Sequence, residues 1–146
     1  MVKSYYLWDN LKLEREYNWR KGVVSLAVCS GKELLIAASG DGTLKIGDLN
    51  TGDELYKIKK LQNSLFCAAI SPDCKSVVTG GAYSIVKAWN LESKQEIYAC
   101  RRPSPIYSIA VDNNGLFVVA GRYGYVDILE LETGNIIGVL EGHSDI

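Results

Sequence analysis

Apolar and polar positions alternate in short runs along most of the chain, and glycine, proline, aspartate and asparagine interrupt them at close intervals. In the first third of the sequence, apolar-rich runs at 26–28, 34–38 and 43–46 are separated by turn residues. Short β-type runs bounded in this way are typical of antiparallel hairpins. The pattern therefore predicts an all-β chain.

The same order of runs and turns occurs three times, beginning near residues 24, 65 and 106. The leucines that close the third run of each copy, Leu49, Leu91 and Leu131, are 42 and 40 residues apart, and a fourth run follows each of them. Four short strands in about forty residues are the signature of a propeller blade. We expect three four-stranded antiparallel blades at about 23–60, 64–101 and 105–141, with 142–146 beginning a further blade.

Several motifs in these copies resemble those of WD-repeat β-propellers. They are the segment 41–49, the triplet Trp89-Asn90-Leu91, the turn at 71–73, and the Gly-His pair that ends at His143. The resemblance covers residues 23–146 and implies a partial WD-type propeller. It also implies that Asp41, Asp48, Trp89 and His143 occupy structural turn or blade positions.

Three departures from that family's pattern concern its internal brace, in which a His, an Asp and the Trp are joined by hydrogen bonds. Trp19, Lys60 and Arg101 stand where the His would precede each first strand. We therefore expect strand pairing and apolar burial, without such a brace, to hold the blades. An open stack would also leave an apolar face bare at either end, at a cost of ~25 cal/mol per Å². This favours a fragment of a larger propeller.

Residues 1–22 do not follow the strand pattern. Asp9 or Asn10 could cap a helix over 11–17, so we expect a helical or irregular lead-in. The stretch 8–22 resembles the end of the F-box region of F-box/WD-repeat proteins, although a generic linker helix would also explain it. The F-box resemblance implies that the whole protein recognises substrates for an SCF-type ubiquitin ligase. The alternative is a WD-repeat platform in another multiprotein assembly with no ubiquitin role.

Composition argues against several other classes of protein. The 16 Lys and Arg balance 17 Asp and Glu, so no overall basic field favours nucleic acid or a membrane surface. One histidine and no nucleophile or phosphate-binding motif predict a protein that is not an enzyme and has no catalytic residue, cofactor or metal. The four cysteines are irregularly spaced, and no signal peptide precedes them. We expect free thiols and a cytoplasmic or nuclear location.

The connections that enter each first strand, and those between second and third strands, should open on one face. These connections carry the candidate partner-binding residues Lys60, Tyr83, Arg101, Arg102, Arg122, Tyr123 and Tyr125. Arg and Tyr are enriched at the energetic centres of interfaces, and Arg forks suit acidic or phosphorylated segments. The other interpretation is that these charged residues only keep this face of the propeller soluble. Ubiquitin-ligase adaptors would bind through a region upstream of the blades.

Overall fold

The computed structural model describes residues 2–5, 13–17, 22–59 and 64–142, and this part of the chain is almost entirely β-structure. A two-stranded antiparallel hairpin comes first, formed by β1 (Val2–Tyr5) and β2 (Leu13–Tyr17). The predicted helix over 11–17 is therefore wrong for residues 13–17. A helix of about two turns is marginal in water, whereas the segment pairs with β1 along one edge over its whole length.

Three four-stranded antiparallel sheets, blades 1 to 3, make up the rest. Blade 1 contains β3 (Val23–Cys29), β4 (Leu34–Ser39), β5 (Leu44–Asp48) and β6 (Glu54–Ile58). Blade 2 contains β7 (Leu65–Ile70), β8 (Ser76–Gly81), β9 (Ile85–Asn90) and β10 (Glu96–Arg101). Blade 3 contains β11 (Ile106–Val111), β12 (Phe117–Arg122), β13 (Tyr125–Glu130) and β14 (Ile136–Glu141). The blades follow one another as the three repeats predicted.

Each blade is a meander in which strands pair in chain order, and the first strand of blade 2 contacts the first strands of blades 1 and 3. This topology gives the stack two ends. The loop face carries the connections between blades and the turns between second and third strands. The turn face carries the turns after the first and after the third strands.

Two apolar layers hold the blades together. Blade 2 is buried on both sides, because Val77 belongs to the layer against blade 1 and its neighbour Val78 to the layer against blade 3, and both are fully buried. Adjacent residues of a strand point to opposite faces, so one run of apolar residues supplies both layers. On the sides that face away from blade 2, blades 1 and 3 expose apolar side chains such as Leu26 and Val119, while Leu35 and Ala37 of blade 1 form a small buried cluster there.

A tyrosine on the outermost strand links each blade to the next. Tyr56 in β6 donates its hydroxyl to the carbonyl of Leu91 at 2.8 Å. Tyr98 holds the same position in β10, and its ring packs against Gly134 in the turn between β13 and β14. A Cβ on Gly134 would lie 2.5 Å from that ring, and the positive φ of 71° also favours glycine there.

Two of the four cysteines form a disulfide, so the prediction of free thiols is wrong for them. Cys29, at the end of β3, is bonded to Cys74 in the turn between β7 and β8. The two Cα atoms are 5.9 Å apart, within the usual range for such a bond. The spacing in sequence hid the pair, because only the stacking of blades brings these turns together. Cys67 and Cys100 are free.

Candidate interaction surface

The first strands of blades 2 and 3 begin with a local break in strand pairing at the loop face. Leu65 pairs with Gly81 and Ile106 with Arg122, but the register shifts immediately after both. An extra residue in one strand of an antiparallel pair redirects its side chain. The residues displaced in this way are Phe66 and Tyr107.

Phe66 and Tyr107 stack on one another across the junction of blades 2 and 3. Their ring centroids are 5.8 Å apart, their planes differ by 11°, and 37% and 48% of the two residues remain exposed. Val24 holds the equivalent place in β3 and is also exposed. Exposed aromatic pairs of this kind mark contact surfaces more often than single exposed residues do.

Sequence reasoning missed both aromatic residues. The signal was present, because an aliphatic residue followed by an aromatic one opens both β7 and β11, as Leu65-Phe66 and Ile106-Tyr107. In a regular strand with alternating sides, the aromatic residue would be assigned to one side of the sheet. Only the shifted register shows that it lies at the edge of the loop face instead.

Three of the residues predicted from sequence are exposed on the same face. Tyr83 lies in the turn between β8 and β9, and Tyr123 lies in the corresponding turn between β12 and β13, each 51% exposed. Arg101 is exposed at the end of β10. Together with Phe66 and Tyr107, the two tyrosines form what we call the aromatic rim.

Two other predicted residues bind a buried carboxylate that the prediction did not include, and a third predicted residue, Tyr125, packs against one of them. Arg102 donates from Nε to Asp127 Oδ2 at 2.7 Å and from Nη2 to Oδ1 at 3.0 Å. Arg122 makes the same two bonds at 2.8 and 3.2 Å, and its guanidinium lies 4.3 Å from the ring centroid of Tyr125. Asp127 itself is fully buried. We call Arg102, Asp127 and Arg122 the arginine brace.

The electrostatics of the arginine brace favour an ionised carboxylate. Burial alone would raise the pKa of Asp127, but the hydrogen bonds and positive charges of Arg102 and Arg122 outweigh it and lower the pKa. The hydrogen bond with Asp127 also raises the pKa of Arg102, against the opposing effect of burial. Two guanidinium groups on one carboxylate give the arginine brace a net charge of +1.

The arginine brace adds to strand pairing and apolar burial, which the sequence predicts as the main interactions that hold the blades. Arg102 lies in the connection that enters blade 3, Arg122 ends β12, and Asp127 lies in β13. One carboxylate therefore fixes the entry connection to two strands of the same blade. The residue types differ from the His-Asp-Trp pattern, and for this reason motif spacing could not identify them.

The remaining predicted positions lie in turns, at the blade interface or outside the described residues. Asp41 accepts a hydrogen bond from the amide of Thr43 at 3.0 Å, and Asp48 accepts two from the amides of residues 50 and 51. Trp89 is half-buried against the layer between blades 1 and 2. Lys60 and His143 lie outside the described residues.

No group of three or more His, Cys, Asp or Glu side chains in 22–59 and 64–142 is arranged to hold a metal ion. Within the part of the chain that the structure describes, no helix has the length and apolarity needed to cross a bilayer.

Comparison with known proteins relates the chain to WD-repeat proteins. The family model described as "WD domain, G-beta repeat" matches residues 12–48. A Schistosoma mansoni protein, WD repeat-containing protein SL1-17, is 28% identical over 142 residues, covering 94% of this chain and 47% of its own length. WD repeat and SOCS box-containing protein 1 of Mus musculus is 36% identical over 63 residues, covering 42% of this chain and 15% of its own length.

Among solved structures, that of U3-55K superimposes with a TM-score of 0.81 at 18% identity, covering 88% of this chain and 42% of that one. The three blades therefore have the fold of consecutive blades of a WD-type β-propeller, and the family match places a WD repeat at residues 12–48. It spans about half the length of the schistosome relative. The family match starts inside the segment that resembled an F-box region, and these comparisons do not support the F-box assignment.

Proposed function

We propose that this chain supplies a non-catalytic protein-interaction surface and that a partner polypeptide binds its aromatic rim. The observation that carries the proposal is the stacked pair Phe66 and Tyr107, which remains exposed although it lies at a buried blade junction. WD-repeat proteins in general act as scaffolds for other proteins. Large aromatic side chains supply contact area at a small cost in conformational entropy, because they have few rotatable bonds.

The arginines of the loop face suggest the chemistry of the partner. The arginine brace holds a net charge of +1, and Arg101 adds an exposed guanidinium nearby in the chain. An acidic or phosphorylated segment is therefore the partner class we propose. Arg102 and Arg122 already bind Asp127 with two donors each, so Arg101 is the arginine best placed to make a bidentate hydrogen bond with a partner's carboxylate or phosphate.

Affinity capture with the 146-residue chain and its alanine variants tests the proposal. We expect the double variant Phe66→Ala/Tyr107→Ala to weaken binding of a captured partner by roughly 10-fold or more, as for residues at the centre of an interface. The matched control is Leu55→Ala/Ile137→Ala, which removes two residues of similar exposure from the outermost strands. Equal binding by both double variants would contradict the proposal.

A narrower version assigns the surface to substrate recognition in an SCF-type ubiquitin ligase. It is supported by the resemblance of residues 8–22 to the end of an F-box region, and by similarity to a relative whose name combines WD repeats with a SOCS box. The competing version is a platform in a different multiprotein assembly. Co-purification of the full-length protein with ubiquitin-ligase adaptors distinguishes the two, and failure to recover them would leave the platform version.

A further inference from the structure

The Cys29–Cys74 disulfide joins consecutive blades at the turn face, the end of the stack opposite the aromatic rim. Cys29 is the last residue of β3 in blade 1, and Cys74 lies in the first turn of blade 2. The two residues are 5% and 3% exposed. The bond therefore crosses the junction between two repeats that otherwise contact each other through side-chain packing and a few hydrogen bonds.

The next junction has no equivalent bond, although its backbone follows the same path. At that junction Ser71 occupies the place of Cys29, and Gly115 occupies the place of Cys74. The amides of Cys74 and Gly115 each donate a hydrogen bond to the carbonyl three residues earlier in the chain. The φ angles of Cys74 and Gly115 are also alike, at 59° and 69°. The cross-link thus belongs to one blade junction and is not a property of the repeat.

We propose that Cys29 and Cys74 form a redox-controlled staple between blades 1 and 2, with glutathione disulfide as the oxidant. One cysteine thiolate attacks glutathione disulfide, forms a mixed disulfide and releases one glutathione. The second cysteine then attacks the protein-side sulfur of the mixed disulfide and releases the other. Two thiols lose two electrons and two protons, and one glutathione disulfide becomes two glutathione molecules.

The surroundings of the two sulfurs suit the reduced state as well as the oxidised one. The carbonyl oxygen of Pro72 lies 3.7 Å from Cys29 Sγ and 3.9 Å from Cys74 Sγ, so it can accept a hydrogen bond from either thiol after reduction. Reduction therefore leaves no thiol without an acceptor. The residues around the bond, Ser30 to Lys32 on one side and Pro72 on the other, are exposed, so only a thin layer separates the sulfurs from solvent.

Peptide mass spectrometry of the 146-residue chain tests the formation of the staple. After equilibration with excess glutathione disulfide and denaturation in acid, we expect tryptic peptides 22–32 and 61–75 to be recovered joined. Peptide 61–75 also contains Cys67, so the matched control is Cys67→Ser, in which the link must still form. In excess reduced glutathione, both peptides should be separate. Loss of the joined pair in Cys67→Ser would overturn the proposal.

Thermal unfolding tests whether the bond holds the blades. We expect reduction to lower the melting temperature of the wild-type chain by roughly 5–15 °C, since closing a loop between distant residues restricts the unfolded chain. Cys29→Ser/Cys74→Ser should melt near the reduced wild type and should not respond to glutathione, whereas Cys67→Ser should respond as the wild type does. A wild-type melting temperature that is the same in both buffers would also overturn the proposal.

Discussion

Arg102 reaches across from the connection before blade 3 and places its Nε 2.7 Å from Oδ2 of Asp127 in β13, where the carboxylate is fully buried. Arg122 approaches the same carboxylate from the neighbouring strand. Charged groups removed from water are stable only when their hydrogen-bonding capacity is met by well-placed partners. The four N–H donors of the two arginines satisfy this condition for Asp127.

Replacing Asp127 with asparagine should destabilise the chain strongly. The amide would leave two buried guanidinium groups facing each other without a compensating charge, and loss of one member of such a group typically costs about 3–5 kcal/mol. Urea denaturation of Asp127→Asn measures the loss. The control is Asp53→Asn, at an exposed aspartate, which should change the free energy of unfolding by less than about 0.5 kcal/mol. Similar small changes in both variants would contradict the structural role of the arginine brace.

The same carboxylate should give the stability a dependence on acid. The pKa of Asp127 is lowered in the folded chain from its ordinary 3.8, so protons bind the unfolded chain more readily. Ionised Asp127 therefore contributes fully to the free energy of unfolding above pH 3.8, and this contribution is lost as the pH falls through the lower pKa of the folded chain. We expect the difference in unfolding free energy between wild type and Asp127→Asn to shrink below that pH. A constant difference from pH 6 down to the acid transition would contradict the assignment.

The repeat pattern predicted the fold because its signal occurs three times. The strands of the blades are separated by turn residues, and Leu49, Leu91 and Leu131 each directly follow a third strand, so each copy supports the interpretation of the others. The lead-in occurs once and has no copy to compare. Its apolar residues Leu13 and Tyr17 fit a helix by spacing, but their backbone pairs with β1.

The contact surface was less accessible to sequence reasoning because it depends on relations between blades. Tyr83 and Tyr123 could be assigned to turns from local sequence. The role of Asp127 could not be predicted from local sequence, because its two partners come from a connection and a neighbouring strand. The disulfide could not be predicted either, because it joins residues 45 positions apart. These contacts are set by blade stacking, which the order of residues within a single repeat does not reveal.

Tyr56 and Tyr98 occupy equivalent strand positions, yet their hydroxyl groups should contribute differently to stability. Tyr56 bonds the carbonyl of Leu91, whereas the buried hydroxyl of Tyr98 has no hydrogen-bond partner among the described residues. Tyr56→Phe should lower the free energy of unfolding by about 1 kcal/mol, because it leaves a carbonyl without its donor. Tyr98→Phe should be neutral or slightly stabilising. Chemical denaturation of both variants checks this, and equal losses would contradict the difference.

The two free cysteines should react with alkylating reagents at different rates. Burial raises the pKa of Cys67 to about 11, and a backbone hydrogen bond involving Gly80 only partly opposes the effect. At pH 8 about a thousandth of Cys67 is therefore thiolate, the form that reacts. Cys100 is half-buried. We expect iodoacetamide to modify peptide 95–101 well before Cys67, and equal labelling rates in the folded chain would contradict this.

Gly80 should be among the glycines least tolerant of a side chain, for reasons of packing alone. It lies in β8 against the first strand of blade 3, and a Cβ there would come within 2.6 Å of Ile106 Cγ2 and 2.7 Å of Ile106 Cβ. Ile106 is fully buried at the start of β11, so neither strand can move without disturbing the layer between the blades. We expect Gly80→Ala to cost about 1–3 kcal/mol, as overpacking of a filled core does.

Gly138→Ala is the matched control, because Gly138 also lies within a strand and its added Cβ would meet Ile128 at an ordinary 3.5 Å. Neither glycine has a positive φ, so backbone strain is excluded as the cause of any difference. Gly138→Ala should be neutral or stabilising by up to about 1 kcal/mol, since alanine has less freedom to lose on folding. Thermal melts of both variants test the prediction. Equal stability of the two variants would contradict the prediction. It would mean that the junction of blades 2 and 3 can open enough to accept a methyl group despite the close contact of β8 with β11.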